Sequence, residues 1–324
     1  MMLPVYYNQS KLLIQERIKM SEMLIDSLTS ELPLKNIQSI TPFNKGWSND
    51  YKFIVVTEAK KYLLRMTDIK NKQTYLEHAD LLKQSAENNV PTHKLTAHGE
   101  CLNDTYYFLL LDWIDGNDAR DVINNFTLSE QYNFGVESGE LLAAIHNFKP
   151  VSKSTESWIT RYNRKIDMKI KMYNDCALKY DSGHLLMDII NNYRHLINNN
   201  RNVQHHGDFH IGNMLIDSNN KLHIIDFDRH DTGEAYEEFN RITWCTSTSP
   251  AFASGRIDGY FKNDVPDEFW KLLQLYIASN MLSSLPWAIH FGDKEIDTMR
   301  CSYAEILNWY DDFKLTVPKW YKKY

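Results

Sequence analysis

The sequence predicts an α+β protein in two lobes: a small β-rich lobe over residues 1–115, with a helical segment at its start, and a larger, mainly helical lobe over 116–324. Three observations predict it. A chain of 324 residues that is 43% hydrophobic and 13% aromatic can bury two cores and is too apolar to be disordered. Two β-prone runs, a helical stretch and a third β-prone run follow one another before residue 115. Beyond Gly116 the apolar residues recur mostly at helical spacing.

In chain order, Leu12, Leu13, Met20, Met23, Leu24 and Leu28 make the first forty residues read as mostly helical, until Pro33 breaks the pattern. Residues 51–57 and 61–66 read as strands joined by the turn Glu58-Ala59-Lys60. Residues 71–88 read as a helix, which Pro91 ends, and 106–113 as an apolar strand stopped by Asp115-Gly116. Thr127-Leu128-Ser129-Glu130 is a capping box that opens a helix carrying Phe134, Leu141, Leu142 and Ile145. Pro266 sits just inside another expected helix start, with Trp270, Leu273, Ile277 and Met281 on one face. A last helix carries Ile296, Met299, Ile306 and Trp309.

Composition excludes several classes. A net charge of −6 argues against nucleic acid as the main partner. The basic residues Arg161, Arg164, Lys165, Lys169 and Lys171 are interrupted by aspartate and asparagine and read as a solvated helix face. No apolar run reaches bilayer length, and the first ten residues lack the pattern of a secretory signal. The four cysteines have no metal or disulfide spacing, as expected of reduced thiols in the cytoplasm. Nothing points to an obligate protein partner.

The chemistry concentrates in His206-Gly207-Asp208-Phe209-His210-Ile211-Gly212-Asn213 and the segment after it. Met214-Leu215-Ile216 and residues 222–225 are β-prone, with Ser218-Asn219-Asn220 supplying a turn, so a hairpin is expected to bring Asn213 near Asp226. Magnesium prefers oxygen donors and is usually held by one or two carboxylates plus substrate phosphates. An amide oxygen adds a donor without charge. A carboxylate off the metal can orient a hydroxyl and accept its proton, which makes Asp208 the candidate base and Asn213 and Asp226 the candidate metal ligands.

The run 206–213 followed by Ile225-Asp226-Phe227-Asp228 resembles the signature of the aminoglycoside phosphotransferase and choline kinase superfamily, relatives of protein kinases. The resemblance extends over about residues 42–239 and includes Leu-Leu-Ala-Ala-Ile-His at 141–146. It implies a bilobal protein-kinase-like fold, ATP or GTP as phosphate donor, Mg2+, and a supporting position for His206. The run 43–50 resembles the family's loop over the phosphates, with Gly46, Ser48 and Asn49 kept and Lys45 replacing the first glycine. Arg65 stands where a strand lysine grips phosphates, with Glu77 as its helix partner. Asp112, Trp113 and Ile114 correspond to the hinge whose backbone receives the purine.

The acceptor is read from charge. Asp228, Asp231, Glu234, Glu237 and Glu238 follow Asp226 with only Arg229 and Arg241 against them, an expected acidic floor that would attract a cation. With His210, residues Asp228, Asp231, Glu237 and Glu238 are the candidate acceptor contacts. An aminoglycoside-type antibiotic is favoured, with choline, ethanolamine, a sugar or an amino alcohol as the metabolic alternative and a nucleotide-binding pseudokinase as a third. Trp244, Trp270, Trp287, Trp309 and Tyr310 are available to cage an ammonium group but mostly read as core.

Overall fold

Period-2 alternation builds a five-stranded antiparallel sheet from β1 (Ile37–Pro42), β2 (Tyr51–Thr57), β3 (Lys61–Asp68), β4 (Leu95–Cys101) and β5 (Tyr106–Asp112), in the order β1-β2-β3-β5-β4. The structure is a computed structural model and describes residues 25, 27–43, 50–152, 156–198 and 201–324. Tyr62, Leu64 and Met66 of β3 join Phe53, Val55, Phe108 and Leu110 in one core, covered by Leu28 and Leu32. Leu63, Leu109 and Leu111 face the other way, onto Tyr75, Ala79 and Leu82 of helix α1 (Lys72–Glu87). The helix stripe at 75, 78, 79 and 82 has the spacing of one buried face. Together with His223–Asp228, residues up to Gly116 form the first of two units.

Strands β1 and β4 are additions to the expected order. The helical run 27–31 ends before Pro33, and 37–42 is strand instead of the end of a helix. Both strands are sheet edges with largely polar, half-exposed residues, so they lack the apolar signal of β3 and β5. Leu12, Leu13, Met20, Met23 and Leu24 lie outside the described residues.

The second unit comprises Asn117–Leu222 and Arg229–Tyr324. After a short strand β6 (Gly116–Asp118) and helix α2 (Ala119–Val122) come α3 (Leu128–His146), α4 (Trp158–Asp175) and α5 (His184–Tyr193). Strands β7 (Asn202–His205), β8 (Met214–Asp217), β9 (Leu222–Ile224) and β10 (Asp231–Glu234) precede α6 (Ile242–Thr248), α7 (Pro250–Phe261), α8 (Asp267–Ala288) and α9 (Asp293–Tyr310). Thr127 and Glu130 make the expected reciprocal cap of α3. Helices α3 and α7 touch backbone to backbone: a Cβ on Gly135 would lie 2.1 Å from Phe252 O, and one on Gly255 2.0 Å from Tyr132 O.

Three helix readings are corrected. Pro266 caps α8 from outside instead of standing within it. Trp270, Leu273, Ile277 and Met281 are buried, but so are Leu272, Leu275, Tyr276 and Leu282, because α8 runs through the interior and is buried on every side over residues 272–279. In α9 Tyr303 and Tyr310, not Trp309, complete the stripe begun by Met299 and Ile306. The basic cluster of α4 is solvated only in part. Arg164 and Lys171 are exposed, whereas Lys169 falls on the buried stripe Trp158, Tyr162, Ile166, Lys169, Tyr173.

Candidate active site

The loop between β7 and β8 is held from below by one buried carboxylate. Glu238, 3% exposed, accepts from the backbone N–H of His206 at 2.9 Å and of Gly207 at 2.5 Å. The His146 imidazole adds a contact at 3.3 Å and is itself fixed by Tyr260 at 2.8 Å. Burial pushes the Glu238 carboxyl up, but His205, His146 and His206 outweigh it and bring it down to about 2. Gly207 has φ of +91°, and a Cβ there would lie 1.8 Å from Arg229 O, so the loop turns where only glycine fits. The fully buried guanidinium of Arg256 donates to Phe209 O at 2.8 Å and packs on the Phe209 ring.

On this base stand Asp208 and Asn213. The Asp208 N–H donates to His206 Nδ1 at 3.3 Å, which gives His206 the supporting position the resemblance implies. Asn213 Nδ2 donates to Asp208 O at 2.8 Å, so its amide nitrogen is used and its oxygen is the end left for a cation. Around the Asp208 carboxylate lie Arg241 Nε at 3.1 Å, Arg229 Nη1 at 3.7 Å and His210 Nε2 at 3.8 Å. Burial opposes ionisation of Asp208, yet His210 and the two guanidinium groups hold its carboxyl well below the usual carboxylate range. His210 Nδ1 also accepts from Gly212 N–H at 3.0 Å and so braces the loop.

In the first unit a second cluster forms around Arg65, which is 4% exposed. Its guanidinium meets Asp50 at 2.6 Å, Asp226 at 3.3 Å, and Asp228 in a short ion pair. His78 lies 3.4 Å from Asp228. The predicted partner, Glu77, is replaced by these aspartates. It stands two residues after inward-facing Tyr75, about 200° round the helix, and accepts from Gln73 Nε2 at 3.0 Å. Asp226 has φ of +71°, a strained conformation for a non-glycine residue. Burial and the neighbouring Asp228 charge push the Asp226 carboxyl up, while Arg65 and His78 overcome burial at Asp228 and hold it low.

The remaining nucleotide candidates divide. Gly46, Ser48, Asn49 and Lys45 lie outside the described residues. At the hinge, the Asp112 N–H donates to Lys94 O at 2.8 Å, the Trp113 N–H to Lys61 O at 3.2 Å, and Asp112 O contacts His93 Nδ1 at 2.9 Å. The sheet therefore uses the backbone groups expected to meet a base, and Ile114 is the hinge residue whose backbone carries no such bond among the described residues. The Asp112 carboxylate binds Lys60 at 2.8 Å and Thr96 at 2.6 Å.

The acidic floor is the largest correction. Asp228 belongs to the Arg65 cluster, and Glu238 is spent on the loop backbone. Asp231 is bridged by Arg161 at 2.8 and 2.9 Å, and Glu237 by Lys165 at 3.1 Å. Glu234, 1% exposed, takes Arg201 at 2.7 Å and the Tyr276 hydroxyl at 2.8 Å. A carboxylate already compensated by a cation exerts little pull on another. Not assigned to the site from the sequence were Arg241, Arg229, Lys165 and Lys169 in the second unit, and Asp50 and His78 in the first. Only Lys169 had a signal, its place on the inward stripe of α4. Of the five aromatics, Trp270 and Tyr310 are core, and the half-exposed Trp244 ring stands 6.5 Å from His210.

Among the described residues no helix is long and apolar enough to cross a membrane. A Staphylococcus aureus protein known as the uncharacterized protein in the ileS 3' region is 33% identical over 90 residues, 28% of this chain and 66% of that protein, so the chain covers just under two-thirds of this relative. The GDP and kanamycin complex of APH(2")-IIIa superposes with a TM-score of 0.68 at 15% identity, over 86% of this chain and 98% of that one. A chain described as a fructosamine-3-kinase from Haemophilus somnus superposes with a TM-score of 0.59 at 13% identity, over 89% and 96%. At such identities these matches show the kinase-like fold, a β-rich part and a larger helical part. Residues 39–270, well over half of the sequence and including the whole loop 206–213, match the phosphotransferase enzyme family, and the chain therefore belongs to that family.

Proposed function

We propose that the chain transfers the γ-phosphate of ATP or GTP to a hydroxyl of a small molecule, with Asp208 acting on that hydroxyl and Asn213 and Asp226 as oxygen donors to magnesium. The observation that carries this reading is the coupling of Asn213 to Asp208, whose 2.8 Å bond leaves one ionised carboxylate and one amide oxygen at the two ends of the bonded loop segment. The Asp226 carboxylate and the neutral Asn213 amide oxygen would suit a hard divalent ion, which when bound supplies neutralisation of phosphate charge. The acceptor oxygen bonds to the γ-phosphorus while the bond from that phosphorus to the bridging oxygen breaks, and the nucleoside diphosphate leaves. Asp208 is a weak base, so it chiefly orients the hydroxyl and takes the proton late, once bond formation has made that proton acidic.

Gly46, Ser48 and Asn49 are assigned to cover the phosphates, and Ile114 to meet the base. Arg65, committed to three carboxylates, is assigned to hold the Asp226 segment and not to grip phosphate by itself. Among acceptors, the pairing of Asp228, Asp231, Glu237 and Glu238 removes the support for a cationic compound, choline, ethanolamine and amino alcohols included, and within the metabolic alternative favours a sugar. The kanamycin complex of the structural neighbour keeps an aminoglycoside as the second reading. Phosphorus NMR of ATP or GTP with magnesium and a panel of hydroxyl compounds should show diphosphate and a phosphomonoester growing together. Asp226→Ala should abolish both and remove the magnesium-dependent part of nucleotide affinity in calorimetry. Turnover and affinity unchanged in that variant would remove Asp226 from the metal.

A further inference from the structure

The second unit contains a pocket of 290 Å³ whose charge is opposite to the one its sequence suggested. Four cations line it (Lys165, Lys169, Arg229 and Arg241) against two carboxylates, Asp231 and Glu237. Both carboxylates are already bridged, by Arg161 and Lys165 respectively. Arg241 and Arg229 reach from the lining to Asp208, so the pocket opens beside the group proposed to act on the acceptor. Lys169 has neither a hydrogen bond nor an ion pair among the described residues, although it is 8% exposed and lines the pocket.

An unpaired ammonium group is costly to bury, and its usual outcome is loss of the proton or capture of an anion. Burial, then the Lys165 charge, bring the Lys169 amine down to about 7, so near neutral pH it is poised to take a proton with an arriving anion. Glu237 pulls the other way and Arg241 adds to the lowering. The volume is at the small end of ligand sites, which suits a compact acceptor better than an oligosaccharide.

We propose that this pocket binds the anionic group of the acceptor, so that the substrate is a small hydroxyl compound bearing a carboxylate or a phosphate, held by Lys169 with its hydroxyl toward Asp208. The inference rests on the phosphotransferase reading and narrows its acceptor class. No step beyond the transfer already described is added.

The test uses the full chain with magnesium and ATP or GTP and compares glycerate, glycerol 3-phosphate, glycerol and ethanolamine as acceptors. At least one of the two anionic compounds should exceed glycerol in kcat/KM by about tenfold or more, the scale of one charge-assisted contact, and the advantage should shrink with salt. Which of the two is better separates a carboxylate site from a phosphate site. Lys169→Gln should raise the KM of the anionic acceptor and leave that of the nucleotide unchanged, and Lys169→Arg should restore part of the loss. In calorimetry without nucleotide, affinity for the better anion should fall as pH rises through about 7, because only the protonated amine attracts it. Equal use of glycerol or ethanolamine would overturn the proposal, as would a Lys169→Gln effect confined to the nucleotide KM, which would assign the cations to donor phosphates. Failure of the phosphotransferase reading is distinct: no nucleoside diphosphate would form with any acceptor.

Discussion

Arg65 shows how one side chain can look the same in sequence and do a different job in space. At its strand position a cation reads as a phosphate grip, yet its guanidinium is closed in by Asp50, Asp226 and Asp228. Arg65→Ala would leave those carboxylates facing one another without their counter-charge. Removing one partner of a buried ion pair commonly costs about 3–5 kcal/mol, so the variant should lose a large part of its stability in urea titration. A folded variant with the parent midpoint and only a raised nucleotide KM would return Arg65 to the phosphates. Lys169 gives the complementary case, since its folded pKa of about 7 lies below its ordinary 10.5. Between those values the unfolded chain holds a proton that the folded one lacks, so stability rises with pH across the window, and the full cost is present below it. Lys169→Met should therefore stabilise the protein more at pH 6 than at pH 10. An equal gain at both would show that Lys169 is ionised identically in the two states.

At the level of elements, the loop 206–213 depends on a segment that follows it by some thirty residues, 234–241. Glu238 receives two backbone N–H groups and one imidazole, and each such charge-assisted bond contributes about 1.5–3 kcal/mol. Glu238→Gln keeps the shape but loses the charge and one acceptor, and should lower both the melting temperature and kcat while leaving nucleotide KM nearly unchanged. Loss of acceptor binding alone, with stability intact, would instead place Glu238 on the substrate as its sequence position suggested. The acids of this stretch were misread because sequence shows how many charges a segment carries and not which backbone groups or distant cations consume them. His146 and Arg161, which meet Glu238 and Asp231, come from helices α3 and α4.

Across the whole molecule, what sequence revealed was whatever is encoded locally. The capping box at Thr127, the apolar strands β3 and β5 and helix α1 are each fixed by a few neighbouring residues. The edge strands β1 and β4 were illegible because one face of each is polar and the sheet supplies the rest. The loop 206–213 was legible because its residues do their work within eight positions, whereas the cationic lining draws on α4 and on residues 229 and 241. The hairpin expected over 214–225 forms, with β8 (Met214–Asp217) and β9 (Leu222–Ile224) neighbours in a three-stranded sheet of order β6-β8-β9, because its strands and turn are encoded locally.

The central claim is that Asp208 acts on the acceptor hydroxyl during transfer of the γ-phosphate. Asp208→Asn keeps the shape of the side chain and the backbone bonds to His206 and Asn213 while removing the carboxylate. A single-turnover measurement of transfer from labelled nucleotide should show the rate falling by about 10²–10⁴-fold, with nucleotide affinity nearly unchanged. Transfer at the parent rate would contradict the account.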